Sequence, residues 1–261
     1  MVWELILKRW AIQPAQLEGL RSIFDGRNSS GRAFLLSGGS NYESKYKVQN
    51  GTAIIPVSGI LLDQIPLYFK SSGIEATAYP EIARLVARAA GDSGVKQIHL
   101  DVDSPGGVVS AAMGRAVNAI WQARQKKKTT AHVHNLGLSA AYWLASQVET
   151  ISAGGTAEIG SIGVCTILLD SSKAAGAAGF KVVLIKSGEH KGMGIAGVSI
   201  TGKQIAAVQA NIDALAGYFV GDVARGRVKY RPEIQELSNG QTWIAEDARE
   251  LGLIDQVKKS H

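Results

Sequence analysis

From residue 48 onward, short apolar runs rich in β-branched residues alternate with stretches whose apolar positions recur every three to four residues. Thr52 to Val57 reads as a strand ended by Ser58-Gly59, and Val95 to Val102 as a second strand followed at once by Ser104-Pro105-Gly106-Gly107. Thr129 to His134, Thr150 to Ser152 and Lys181 to Ile185 carry the same signature. Helical spacing marks Tyr79 to Ala90 (Ile82, Leu85, Val86, Ala89, closed by Gly91), Val108 to Gln125, Ser139 to Ser146 and the long stretch Thr201 to Gly226. Strands alternating with helices predict parallel β-α-β units in an α/β domain. The pattern fits two architectures equally: a flat doubly wound sheet, or a superhelix of stacked β-β-α units.

Residues 1–47 break this rhythm. A short helical pattern, Ile12 to Phe24, gives way to a stretch from Gly26 to Lys47 rich in Gly, Ser and Asn. The expected organisation is an N-terminal arm and linker over 1–47 and one folded domain over 48–261.

Composition narrows the class. With 261 residues, 46% hydrophobic and 19% charged, the chain can bury a full core and is not a disordered polymer. No window reaches eighteen uninterrupted apolar residues, so neither a spanning helix nor a stable membrane anchor is expected. The opening Met1 to Trp10 is broken by Glu4 and closed by Lys8-Arg9, unlike a secretory signal, so the expected location is cytoplasmic. A single cysteine, Cys165, excludes an intrachain disulfide and a cysteine-based zinc site. The net charge of +6 raises nucleic acid as a partner, but the one dense basic run, Arg124 to Lys128, ends a helical pattern, where cations complement the helix dipole. No basic segment is interleaved with aromatics as in single-strand binders, so nucleic acid is not expected.

Three segments could carry chemistry. Asp101 to Gly107 closes a strand and leads into a helix; its glycines could present bare N–H groups to an anion or oxyanion, or form an ordinary turn. Gly137 to Trp143 puts Ser139 at the first turn of a helix among small residues, as an N-cap or as a nucleophile. Lys186 to Gly192 is a polar loop after a strand, offering His190 or a desolvated Lys191 as general base, or merely solvated charges. His99 lies inside a strand, and His132 and His134 precede the serine helix, so all three are less well placed.

Taken in order, the Ser-Pro-Gly-Gly segment, the serine before Tyr142-Trp143 and the loop Lys186-Ser187-Gly188-Glu189-His190-Lys191 resemble the S49 family of serine peptidases. That family includes the signal peptide peptidase A type and its phage-encoded relatives. The resemblance runs over roughly residues 48–257. It implies a ClpP/crotonase-like superhelix of stacked β-β-α units, Ser139 as nucleophile and Lys191, 52 residues on, as general base. It also implies Gly107 and Gly106 as oxyanion-hole glycines beside the Ser139 N–H, and Ser161, Ile162 and Gly163 of Gly160-Ser-Ile-Gly-Val164 as substrate-binding. No metal or other cofactor is implied. Ala140-Ala141, where the cellular branch usually has two glycines, and Trp10 to Pro14 resemble the phage branch. That branch implies cleavage of scaffold, portal or other head proteins during capsid maturation, in the host cytoplasm or procapsid. Some of its members carry a C-terminal scaffold extension, which is not expected after His261. A homo-oligomeric ring with the dyad formed between neighbours is a further implication.

Four alternatives stand beside this reading. A Clp-type enzyme would need a histidine between Ser139 and His190, and none is there. A crotonase would use oxyanion N–H groups without a Ser-Lys pair. A cellular signal-peptide-peptidase-type enzyme would degrade membrane or cytosolic peptides, and an inactive head protein would keep only the fold.

Overall fold

The computed structural model describes residues 10–12, 47–71, 73–227 and 231–258. Its strands are β1 (Trp10–Ile12), β2 (Lys47–Gln49), β3 (Thr52–Leu62), β4 (Ala76–Ala78), β5 (Gln97–Val108), β6 (Lys128–Leu138), β7 (Thr150–Gly154), β8 (Glu158–Gly160), β9 (Thr242–Ile244) and β10 (Gln256–Lys258). Its helices are α1 (Leu67–Ser71), α2 (Tyr79–Gly91), α3 (Ala111–Arg124), α4 (Ala140–Ala145), α5 (Ser172–Ala177), α6 (Gly202–Arg227), α7 (Arg231–Leu237) and α8 (Ala245–Glu250).

Alternation along the long strands sets the layers. Ala53, Ile55 and Val57 of β3, Ile98, Leu100 and Val102 of β5, and Ala131 and Val133 of β6 all point to one buried face. Helix α2 lays Ile82, Leu85, Val86 and Ala89 against it, and α3 adds Met113, Ala116, Val117 and Ile120. The order β10-β7-β6-β5-β3-β2 forms the spine; β3, β5, β6, β7 and β10 run parallel and β2 is an antiparallel edge.

The branches decide between the two architectures. Register shifts fall between Ser58 and Ile60 in β3 and between Val102 and Ser104 in β5. Past them each long strand takes a new neighbour: Ile60–Leu62 pairs with β4, Gly106–Val108 with β1, and Leu136–Leu138 with β8. A bulge bends a strand and raises its twist, so one strand can serve two sheet layers. Three strands doing so in succession make a stack of bent units, as a superhelix requires, and not one flat sheet.

Several element boundaries differ from the sequence expectation. The strand expected to end at Ser58-Gly59 continues to Leu62. The glycines of Ser104 to Gly107, expected in a turn at a helix N-terminus, lie inside β5, and α3 begins only at Ala111 with Ser110 Oγ accepting from Met113 N–H at 3.2 Å. Pairing on both edges carries β5 through the glycines and overrides their turn preference. Lys181 to Ile185, expected as a strand, has no regular structure, because it pairs with no strand among the described residues; Ile185 is 94% exposed. Of the helical pattern Ile12 to Phe24, Ile12 closes β1 and the rest falls outside the described residues. The basic run at the end of α3 is engaged: Arg124 Nη1 donates to the carbonyls of Val148 and Gly226, and Lys127 Nζ to that of Ala89. Among the described residues no helix is long and apolar enough to cross a membrane.

The C-terminal half of α6 clamps α4. Phe219 stacks on Trp143, ring centroids 4.2 Å apart, and Asp222 accepts from Trp143 Nε1 at 2.8 Å. At Gly226 the two backbones meet, for an added Cβ would stand 2.0 Å from the Ser146 carbonyl oxygen. Gly226→Ala would gain about 1 kcal/mol of helix propensity. A contact with fixed backbone outweighs that gain, so the variant should lose about 2 kcal/mol net, read as a lower urea midpoint with an unchanged slope.

Candidate active site

Ser139 sits at the join of β6 and α4. Its φ of 54° and ψ of −120° lie outside the regions that L-residues favour. Strain of this kind, of order 1–3 kcal/mol, persists only where the surroundings impose it. Here its N–H donates to Gly160 O at 2.7 Å, and its carbonyl accepts from Trp143 N–H at 2.8 Å. All six residues of α4 are buried behind it. Ser139 is itself wholly buried, and its Oγ has no hydrogen-bond partner among the described residues. The N-cap reading fails, because the side chain accepts nothing from the helix it precedes. A buried, unpaired hydroxyl normally costs stability, which makes this group the strongest chemical candidate in the fold.

Gly106 and Gly107 lie on the neighbouring strand. The last β5–β6 pair is Ser104 with Gly137, two residues before Gly106 on one strand and before Ser139 on the other. Ser104 Oγ ties this corner down, donating to Gly59 O at 2.6 Å and accepting from Gly106 N–H at 3.1 Å. A Cβ at Gly107 would stand 1.9 Å from Leu61 O, so no other residue lets β5 lie this close to β3. The Gly106 and Ser139 N–H groups, read from sequence as oxyanion donors, are therefore both occupied in this structure, by Ser104 Oγ and Gly160 O.

Of the substrate-binding trio, Ser161 shares the unusual backbone, φ 52°, and donates its N–H to Gln241 O at 2.8 Å. Ile162 is buried in the core, so only its backbone could touch a substrate; its carbonyl accepts from Gly240 N–H at 3.2 Å. Gly163 is half-buried beside them. An open apolar cleft of about 440 Å³ follows directly, lined by Val164, Leu168, Ile200, Ile205 and Ile212.

Lys191 is not brought to Ser139 within the chain. It is exposed, at a turn in which its N–H donates to Gly188 O at 3.3 Å. Lys186 Nζ is taken up by Glu189 O at 2.6 Å, the same carbonyl that the buried Gln204 Nε2 reaches at 3.1 Å. His190 is exposed. The other histidines among the described residues face away on the polar side of the sheet: His99 Nδ1 pairs with Thr130 Oγ1, His132 Nδ1 with Ser152 Oγ and His134 Nε2 with Asp101. Burial lowers the pKa of His99 and of His132, and neither bonds Ser139.

Two contributors escaped the sequence reading. Ser104 looked like part of a turn, and only the bulge reveals it as a tie between strands. Asp170 closes the base of the loop that bears Lys191: Oδ1 accepts from Ser172 N–H and Oγ, and Oδ2 from Ile200 N–H at 3.0 Å. The Asp-x-Ser spacing is an Asx-turn signal, but nothing in sequence joins it to Ile200. The Ser172 hydroxyl first, then the Ile200 and Ser172 N–H groups, hold the Asp170 pKa down to about 2.

Compared with known proteins, the chain matches the sequence model of Peptidase family S49 over residues 122–261. It is 33% identical over 189 residues to the head-tail preconnector protein GP5 of Enterobacteria phage P21, covering 72% of this chain and 37% of the relative. It is 35% identical over 153 residues to the capsid assembly protease C of Escherichia phage lambda, covering 59% and 34%. With protease 4 of Haemophilus influenzae it shares 27% over 226 residues, covering 81% and 33%. The chain thus spans about a third of the length of these relatives. Among solved structures it is similar to a membrane-bound stomatin-specific protease mutant in complex with a substrate peptide, at TM-score 0.46 and 18% identity over 78% of this chain and 74% of that one.

Two outcomes test this geometry. Ser139→Gly should be more stable than Ser139→Ala by about 1 kcal/mol in urea unfolding, since glycine adopts a positive φ freely; equal stability would mean the backbone there is unstrained. Because the Asp170 pKa is depressed in the fold, its tie is complete above the ordinary carboxylate range near 4 and is lost as pH falls through about 2. At neutral pH Asp170→Ala should speed proteolytic cuts within residues 181–195 about five-fold or more while the unfolding midpoint stays put.

Proposed function

The chain belongs to peptidase family S49, and on that premise we propose that it is a serine endopeptidase with Ser139 as nucleophile and Lys191 as general base. One observation carries the reading: a wholly buried Ser139 hydroxyl, without a partner among the described residues and held at φ 54°. Evolved structure tolerates that combination where the hydroxyl is to react.

The base comes from a neighbouring copy of the chain. Lys191 is exposed, and Ser139 Oγ has no partner among the described residues. The ribbon leading to Lys191 leaves Phe180, Val183 and Ile185 at 68%, 70% and 94% exposure, an apolar surface that favours burial against a second protein surface. A ring in which each ribbon covers the next subunit's Ser139 would bury that surface and strip water from Lys191, surroundings that disfavour a charged amine.

Neutral Lys191 then takes the Ser139 proton as Oγ attacks the scissile carbonyl, forming a tetrahedral oxyanion. The Gly107 N–H is one candidate donor to that oxyanion. The Ser139 N–H becomes the second once it leaves Gly160 O, each donor contributing about 3–4 kcal/mol. Protonated Lys191 donates to the leaving amine, and water, deprotonated by the same amine, hydrolyses the acyl-enzyme. Two side chains and backbone dipoles suffice, with no metal or cofactor in any step. The cleft beyond Gly163 suits an apolar side chain.

The capsid protease and preconnector relatives support scaffold, portal or other head proteins as substrates, cleaved in the host cytoplasm or procapsid. A second reading, a cellular protease degrading peptides, is favoured by the greater share of this chain, 81%, aligned to protease 4.

Casein cleavage by wild type, Ser139→Ala and Lys191→Ala, with sedimentation to fix the oligomeric state, is the test. Both variants should be silent while folded and assembled. Mixed in equal amounts and reassembled, they should recover roughly a quarter of wild-type activity, because a heterologous ring rebuilds sites that pair an intact serine with an intact lysine. An active monomer would sink the shared site, and an active Lys191→Ala would remove Lys191 as base.

A further inference from the structure

Beyond Ser104, one edge of β5 stays against β3 while β6 departs from the other. Gly106 and Gly107 pair with Ile60 and Leu61 on the first edge. On the second they pair antiparallel with Ile12 and Ala11, and Val108 pairs with Trp10. Had β6 continued in register, residue 139 would stand opposite Gly106. Ile12 holds that position instead, so the N-terminal arm takes up the ladder where the serine leaves it.

This edge is also where a substrate backbone must lie. To place a carbonyl between the Ser139 and Gly107 N–H groups, a peptide has to run beside Gly106–Val108, whose alternate N–H and C=O groups form a template for strand addition. The arm runs from Val108 toward Gly106, its C-terminal end nearest the serine. Residues preceding a scissile bond would run the same way. Ser139 is wholly buried in this arrangement, as expected of a site already covered.

We propose that Trp10–Ile12 is an internal competitor for the substrate strand, keeping the site closed until a substrate segment displaces it. The inference rests on the peptidase reading for its consequence, but the pairing itself can be tested without it. Alternate residues of an antiparallel strand aim their N–H groups at the partner, so of Ala11→Pro and Ile12→Pro at least one must delete a ladder hydrogen bond.

In full-length protein of unchanged oligomeric state, that variant should cleave casein with KM lowered roughly 3–10-fold and kcat unchanged, because the open fraction of sites rises. A synthetic peptide of residues 8–16 should raise KM again by competition, more in the proline variant than in wild type. An unchanged KM in both variants, or a fall in kcat at constant KM, would overturn the proposal. Should even wild type cleave no casein, the peptidase reading fails, and amide exchange judges the arm. Exchange at 106–108 about tenfold faster in a proline variant, and slowed again by the 8–16 peptide, supports occupancy of the edge; unchanged exchange refutes it.

Discussion

The site depends on holding one serine in a backbone conformation that serine disfavours. Nothing local to Ser139 does this. The strain is carried by the hydrogen bond from its N–H to Gly160 O, by the burial of α4 behind it, and by the clamp of α6 through Phe219, Asp222 and Gly226. Burying Phe219 and its neighbours is worth about 1.5–3 kcal/mol per side chain, enough to hold an elbow that costs less. The same bond that fixes the elbow occupies the Ser139 N–H, while its hydroxyl stays buried and finds no partner among the described residues.

What sequence could reveal follows the range of each interaction. Period and punctuation located α2 and α6 within a residue of their ends, because apolar spacing is a local property. They also located the cores of β3, β5 and β6, but not their extensions, because the bulges that carry these strands onward depend on partners far along the chain. Ser104-Pro-Gly-Gly reads as a turn by every local rule, and pairing on both edges makes it a strand. Lys181 to Ile185 is the converse: strand chemistry with no partner strand among the described residues. Resemblance singled out Ser139 and Lys191 together, while one folded chain brings only the first to a site.

The glycines of β5 illustrate why close approach is hard to read from composition. Gly107 is required by the carbonyl of Leu61, and Gly226 by that of Ser146, each a backbone-to-backbone meeting distant in sequence. Together they let backbone meet backbone at the sheet corner and between two helices.

The tie at Asp170 has a different kind of consequence. By joining residue 170 to residue 200, it makes the span between them a closed insert whose two ends are already together. Lengthening such an insert costs little, roughly 0.6 kcal/mol for each doubling, so the segment can be rewritten while the serine corner stays as it is. Selection can thus vary the length and surface of that insert without altering the corner that holds Ser139.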